Sequence, residues 1–207
     1  MPLAPPAARR PVHRRQIDMR GYARDDGLYD IEGHLVDTKP DGFQTIDRAV
    51  PPDEPLHGMW IRLTIDDEML IHACEAVTEY GPYRMCPDAA PNFSRLAGLR
   101  IGGGFNRAVA ERVGGTMGCT HLREMLAQLA TVAFQTTYGA RLARRQALKQ
   151  AGNAVVPSPG LVGTCLAYAE DSRVVAAQWP EFAAQVRAEA AAADAPAKAP
   201  APADSGR

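Results

Sequence analysis

The spacing of apolar residues changes once along this chain, near Cys86, and this change constrains the fold more than any other feature. Before it, apolar and polar residues alternate with the period of two that is typical of strands. After it, apolar residues recur every three or four positions, as on one face of a helix. Strands followed by helices predict an α+β domain. We expect an antiparallel sheet from about Arg14 to Val77, and helices from about Phe93 to Gln150 packed on one of its faces.

Three segments carry the strand pattern: Leu28–Thr38, His57–Ile65 and Met69–Val77. In the second, alternate residues from Met59 to Ile65 are apolar and should face the core, while Trp60 and Arg62 point away. Acidic residues separate the second segment from the third, which predicts a hairpin. The sheet therefore has one face for a core and one for solvent.

The long helix should begin directly after the run Gly118-Cys119-Thr120-His121. Its apolar face is marked by steps of three and four: Leu122, Met125, Leu126, Leu129, Val132 and Ala133. Thr120 is a suitable N-cap, and the positive end of the helix dipole favours a thiolate at Cys119. Cys119 and His121 are thus candidates for a nucleophile with its acid–base partner, or for a metal site. The alternative is that Cys119 is a small core residue and His121 a surface residue.

The first strong strand also carries a polar row. Alternation places Asp30, Glu32 and His34 on one face, opposite Ile31 and Leu35. Two carboxylates and an imidazole in a row can bind a metal ion or share protons. The alternative is an ordinary solvated face of an antiparallel sheet.

The spacing of the cysteines and the net charge restrict the possible functions further. The four cysteines are widely spaced without a C-x-x-C pair, which favours reduced thiols and a cytoplasmic location. We find neither a signal-peptide pattern nor an apolar run long enough for a membrane span. A net charge of −1 offers no basic field to attract nucleic acid. The sequence does not identify a small molecule or partner protein.

The chain length and its 46% hydrophobic content suit one domain with a substantial core. We expect a disordered arm over residues 1–13, a single α+β domain over 14–187 and a disordered Ala/Pro-rich tail over 188–207. Within the domain, 153–160 reads as a Pro/Gly linker.

Three blocks in order, Tyr22–Lys39, His57–Leu63 and Gly118–Glu124, resemble the bacterial family labelled domain of unknown function 2889. The resemblance covers roughly Arg14 to Trp179. Membership implies no established activity.

A more remote likeness is to the iron–sulfur cluster scaffold fold. Those proteins place one cysteine where the sheet gives way to helices and another at the start of a long helix, as Cys86 and Cys119 are placed here. Their earlier cysteine, followed by Gly-Asp, has no counterpart in this chain. By this likeness, Asp30, Glu32 and His34 are the place to look for replacement ligands.

Three functions remain open from the sequence. The first is a metal- or sulfur-handling protein that holds zinc or iron through six candidate ligands: Cys86, Cys119, His121, Asp30, Glu32 and His34. The second is an enzyme on a small molecule, with a Cys119 nucleophile and His121 as acid–base. The third is an accessory protein whose cysteines and histidines are structural.

Overall fold

A computed structural model describes residues 3–152 and 161–193. The chain divides into two compact units, Met1–Ala147 and Leu148–Arg207. The expected linker over 153–160, and residues 194–207 of the expected tail, lie outside the described residues.

The first unit contains a four-stranded antiparallel sheet with the strand order β1-β2-β5-β6 and a separate two-stranded ribbon, β3-β4. The strands are β1 (Arg14–Ala23), β2 (Tyr29–Thr38), β3 (Phe43–Gln44), β4 (Ala49–Val50), β5 (Pro55–Ile65) and β6 (Ile71–Tyr80). A 3₁₀ segment, Cys86–Leu96, leads from the sheet to the helices α1 (Phe105–Val113) and α2 (Thr120–Gln150). The α+β prediction is confirmed, and the long helix begins where the apolar spacing placed it.

The second unit, as far as it is described, has a short 3₁₀ turn at Leu166–Tyr168 and two helices, α3 (Arg173–Gln178) and α4 (Pro180–Ala193). Helix α4 therefore includes residues 188–193, which the sequence analysis assigns to the tail. None of the helices in the described ranges is long and apolar enough to cross a membrane.

One face of the four-stranded sheet is covered and the other is open. The covered face carries Ile31, Leu35, Ile61 and Leu63, all of which are buried together with the apolar side of α2. Helix α2 lies so close to β1 that a Cβ added at Gly21 would be 1.8 Å from Thr136 Oγ1. This close approach places the middle of α2 over the covered face.

The start of α2 is set by tight backbone packing. A Cβ added at Gly118 would lie 2.1 Å from the Val113 carbonyl oxygen, so only glycine fits there without a shift. The Arg123 N–H donates to the Cys119 carbonyl at 2.9 Å. Cys119, rather than Thr120, therefore occupies the cap position, because the cap residue's carbonyl accepts the first bond of the helix.

Candidate metal centre

A carboxylate lies in the apolar row of β2. Asp37 follows Ile31 and Leu35 on the covered face of the sheet and is only 1% exposed. A buried carboxylate is costly unless charged or hydrogen-bonding partners surround it. The partners of Asp37 therefore define the site.

Two of these partners lie directly opposite Asp37 on the neighbouring strands. Arg15 of β1 donates two bonds to the carboxylate, from Nε to Oδ1 and from Nη2 to Oδ2, both at 2.8 Å. His57 of β5 places Nδ1 3.0 Å from Oδ2. A row across three strands thus joins a guanidinium, a carboxylate and an imidazole.

Two more histidines approach the same carboxylate. His121, on the first turn of α2, has Nε2 3.8 Å from Asp37 Oδ2, and its ring centroid is 4.1 Å from that of His57. His13, just before β1, has Nε2 3.2 Å from Oδ1. The exposed fractions of the side chains are 14% for His57, 21% for His121 and 42% for His13. Three imidazoles therefore surround one buried carboxylate.

Cys119 completes the surroundings of His121. Its Sγ lies 3.9 Å from His121 Nδ1 and 3.7 Å from Met59 Sδ. The two ring nitrogens of His121 thus face different groups, with Nε2 towards Asp37 and Nδ1 towards the thiol. We refer to His13, Arg15, Asp37, His57, Cys119 and His121 as the Asp37 cluster.

The protonation states of the cluster favour metal binding. Burial alone would raise the pKa of Asp37, but hydrogen bonds and charge from Arg15, with smaller contributions from His57 and His13, bring the pKa below its ordinary value. Burial lowers the pKa of His57, and the neighbouring His121 lowers it further. Burial, followed by the charge of Arg15, lowers the pKa of His121. An ionised carboxylate and neutral imidazoles are the forms that bind a metal ion.

The distances also fit a shared ion. One ligand atom from each of Asp37, His57 and His121 lies within 4.8 Å of the other two. Ligand atoms about 2.0–2.2 Å from one ion are at most about 4.4 Å apart. Only a small closure is needed, and we call these three residues the ligand trio.

The row predicted on the first strong strand does not join this cluster. Asp30, Glu32 and His34 lie on the open face of β2, so the sheet separates them from Cys119 and His121. Each has a partner there. Asp30 accepts a bond from Thr64 Oγ1 at 2.7 Å, Glu32 accepts one from Arg62 Nε at 2.7 Å, and His34 stacks on Trp60 at 3.7 Å.

Cys86 is also apart from the cluster. It begins the 3₁₀ segment, and a Cβ added at Gly81 would lie 2.6 Å from Cys86 Cβ, which places the thiol beside the end of β6. Among the described residues, the group of at least three potential ligands contains neither Cys86 nor Cys119. Of the six predicted ligands, His121 alone belongs to that group.

Sequence reasoning missed Asp37 and His57, although a signal was present. Asp37 comes two positions after Leu35, and His57 two positions before Met59, so both occupy the apolar phase of their strands. A charged or polar residue in that phase points towards the core. Arg15 and His13 gave no comparable signal, because their roles depend on the pairing of β1 with β2.

The fold and this cluster define an α+β protein with a histidine-rich carboxylate site beneath a helix N-terminus. Within that class, the chain belongs to the family described as protein of unknown function (DUF2889), whose model matches residues 13–135. The matched span contains the whole Asp37 cluster. No curated protein and no solved structure matches the chain.

Proposed function

We propose that this protein binds one transition-metal ion, zinc or ferrous iron, through Asp37, His57 and His121. The observation that carries the proposal is the convergence of two half-buried imidazoles on one buried carboxylate. Two histidines and a carboxylate are a ligand set used for catalytic zinc and for non-haem ferrous iron. When bound, such an ion can act as a Lewis acid or activate water.

The surroundings of the ligand trio support this proposal. A ligating histidine usually donates its second ring N–H to a fixed partner, which orients the ring. In His121, Nε2 would bind the ion while Nδ1 faces Cys119 at 3.9 Å. In Asp37, one oxygen can bind the ion while Oδ1 retains the Arg15 Nε bond of 2.8 Å. Cys119 would thus act as a positioning residue for His121, whereas Arg15 keeps Asp37 ionised but places a positive charge near the ion.

Metal binding, one of the functions that the sequence predicts, is thus proposed with different ligands. Cluster assembly on cysteine ligands is less favoured, because Cys86 and Cys119 contact different parts of the fold. All four cysteines are free thiols, which supports a reducing, cytoplasmic setting for the proposed site.

A zinc titration of protein stripped of metal tests the proposal. We expect one zinc ion to bind the wild type, and His121→Ala to weaken binding by at least about a hundredfold through loss of a ligand. The matched control is His72→Ala. His72 also pairs with a carboxylate, with Nε2 2.9 Å from Asp66 Oδ2, but this exposed pair is not part of the Asp37 cluster. Failure of the wild type to bind zinc or ferrous iron, or equal affinities for all three proteins, would contradict the proposal.

A second candidate function is favoured by the Cys119–His121 contact. A thiol within reach of an imidazole can act as a nucleophile with a base. Alkylation of metal-free protein at neutral pH distinguishes this role. A nucleophilic Cys119 should react faster than the exposed Cys165, and should slow in a His121→Ala variant, whereas a positioning residue should react more slowly than Cys165. Buried Cys74, whose pKa burial raises to about 12, is the unreactive internal reference.

A further inference from the structure

We propose that His13 is a fourth ligand of this ion, so that metal binding fastens the start of β1 to the rest of the site. This inference rests on the proposed function. Three protein ligands would leave one position of the ion open for the chemistry described above, whereas a fourth would close the site and give the ion a structural role.

The geometry around Asp37 supports a fourth ligand. His57 and His121 approach Oδ2, at 3.0 and 3.8 Å, whereas His13 approaches Oδ1 at 3.2 Å. An imidazole is therefore already placed at each carboxylate oxygen. His13 is outside the group of ligand atoms that lie within 4.8 Å of one another, so its side chain, the most exposed of the three imidazoles, would have to turn towards an ion held by the ligand trio.

The four ligands would come from four different parts of the chain. His13 precedes β1, Asp37 is on β2, His57 is on β5 and His121 is on α2. Strand β1 is at the edge of the sheet and pairs with β2 alone. An edge strand is hydrogen-bonded on one side only, and the backbone groups on its other side have no strand partner. The Arg15–Asp37 ion pair already attaches the first residues of β1 to β2. An ion bound to His13 would add a second interaction at the same end of β1.

Limited trypsin digestion measures directly whether zinc protects the start of β1 from cleavage. The bonds after Arg14 and Arg15 lie immediately beyond His13, and the bond after Arg9 lies upstream of it. Mass spectrometry can follow cleavage at each position, with and without saturating zinc. The digestion compares the wild type, His13→Ala and the control His72→Ala, and a zinc titration gives the dissociation constant for each.

We expect zinc to slow cleavage after Arg14 and Arg15 by about tenfold in the wild type and in His72→Ala, but not in His13→Ala. Cleavage after Arg9 should be unaffected in all three, which controls for inhibition of trypsin by zinc. His13→Ala should still bind one ion, with affinity at least about tenfold lower. Equal protection and equal affinity in wild type and His13→Ala would overturn the role of His13 alone. Absence of zinc binding in the wild type would overturn the proposed function as well.

Discussion

The two faces of β2 carry similar residues but differ in what surrounds them. On the covered face, Asp37 is buried, and β1, β5 and α2 each supply a partner. On the open face, Asp30 and Glu32 have charged or polar partners but remain partly exposed. Alternating carboxylates on a strand therefore do not by themselves make a site. A site forms where a buried carboxylate meets groups from several elements.

The electrostatic consequences differ in the same way. A partly exposed ion pair such as Glu32–Arg62 is screened by water and contributes little to stability. A buried charge is strongly destabilising once its partner is removed. The covered face should therefore respond to single substitutions much more strongly than the open face.

The largest expected effect comes from Asp37→Asn. The substitution removes the carboxylate that Arg15 and the histidines share, so zinc binding should be lost and the metal-free protein should lose about 2–4 kcal/mol of unfolding free energy. Urea denaturation and zinc titration measure the two effects. The matched substitution on the open face, Glu32→Gln, should change stability by no more than about 0.5 kcal/mol and leave zinc binding unchanged. Equal destabilisation by the two variants would remove the distinction between the faces.

The sequence predicts which residues of the strands face the core and where α2 begins, but it does not predict the position of the site. Alternation identified the core residues of β5 from Met59 to Ile65, and the spacing of three and four located the start of α2. Local patterns cannot show which residues meet across strands. The Arg15–Asp37–His57 row depends on strand pairing, and His13 lies in the segment that composition assigned to a disordered arm.

A smaller effect is expected from Gly118→Ala. This variant tests whether stability and zinc binding on the covered face depend on the position of the first turn of α2. The new Cβ would lie 2.1 Å from the Val113 carbonyl oxygen, so the backbone before Cys119 must shift. We expect a loss of about 1–2 kcal/mol and weaker zinc binding through displacement of His121. Gly103→Ala is the control, since an added Cβ there meets nothing within 4 Å. Unchanged zinc affinity in Gly118→Ala would mean that His121 is positioned by other contacts.

Arg15→Gln should separate the metal-free state from the metal-bound state. Removing the guanidinium takes away the ion pair with Asp37, but His57 still contacts the carboxylate and the Arg15 side chain is 32% exposed, so the metal-free protein should lose only about 1 kcal/mol. Zinc should bind roughly tenfold more tightly, because a positive charge near the ion is gone. Arg15→Lys retains the charge and should keep an affinity close to wild type. Weaker zinc binding in Arg15→Gln would show that Arg15 supports the ion instead of competing with it.

The smallest effect concerns pH. Burial lowers the pKa of His57 and His121 in the folded protein, so below about pH 6.5 the unfolded chain binds protons that the folded chain does not. Stability of the metal-free protein should therefore fall as the pH falls through 6.5, until these histidines protonate in the folded state as well. Urea denaturation between pH 5 and 8 measures the slope. A double variant, His57→Ala with His121→Ala, should reduce it, and His72→Ala should not.

Anomalous X-ray scattering from crystals of the zinc-loaded protein tests the central claim most directly. We predict one strong peak on the covered face, about 2.0–2.2 Å from an Asp37 oxygen and from one ring nitrogen each of His57 and His121. A peak on the open face beside Glu32 or His34, or at Cys86, would contradict the assignment of the metal site to the Asp37 cluster.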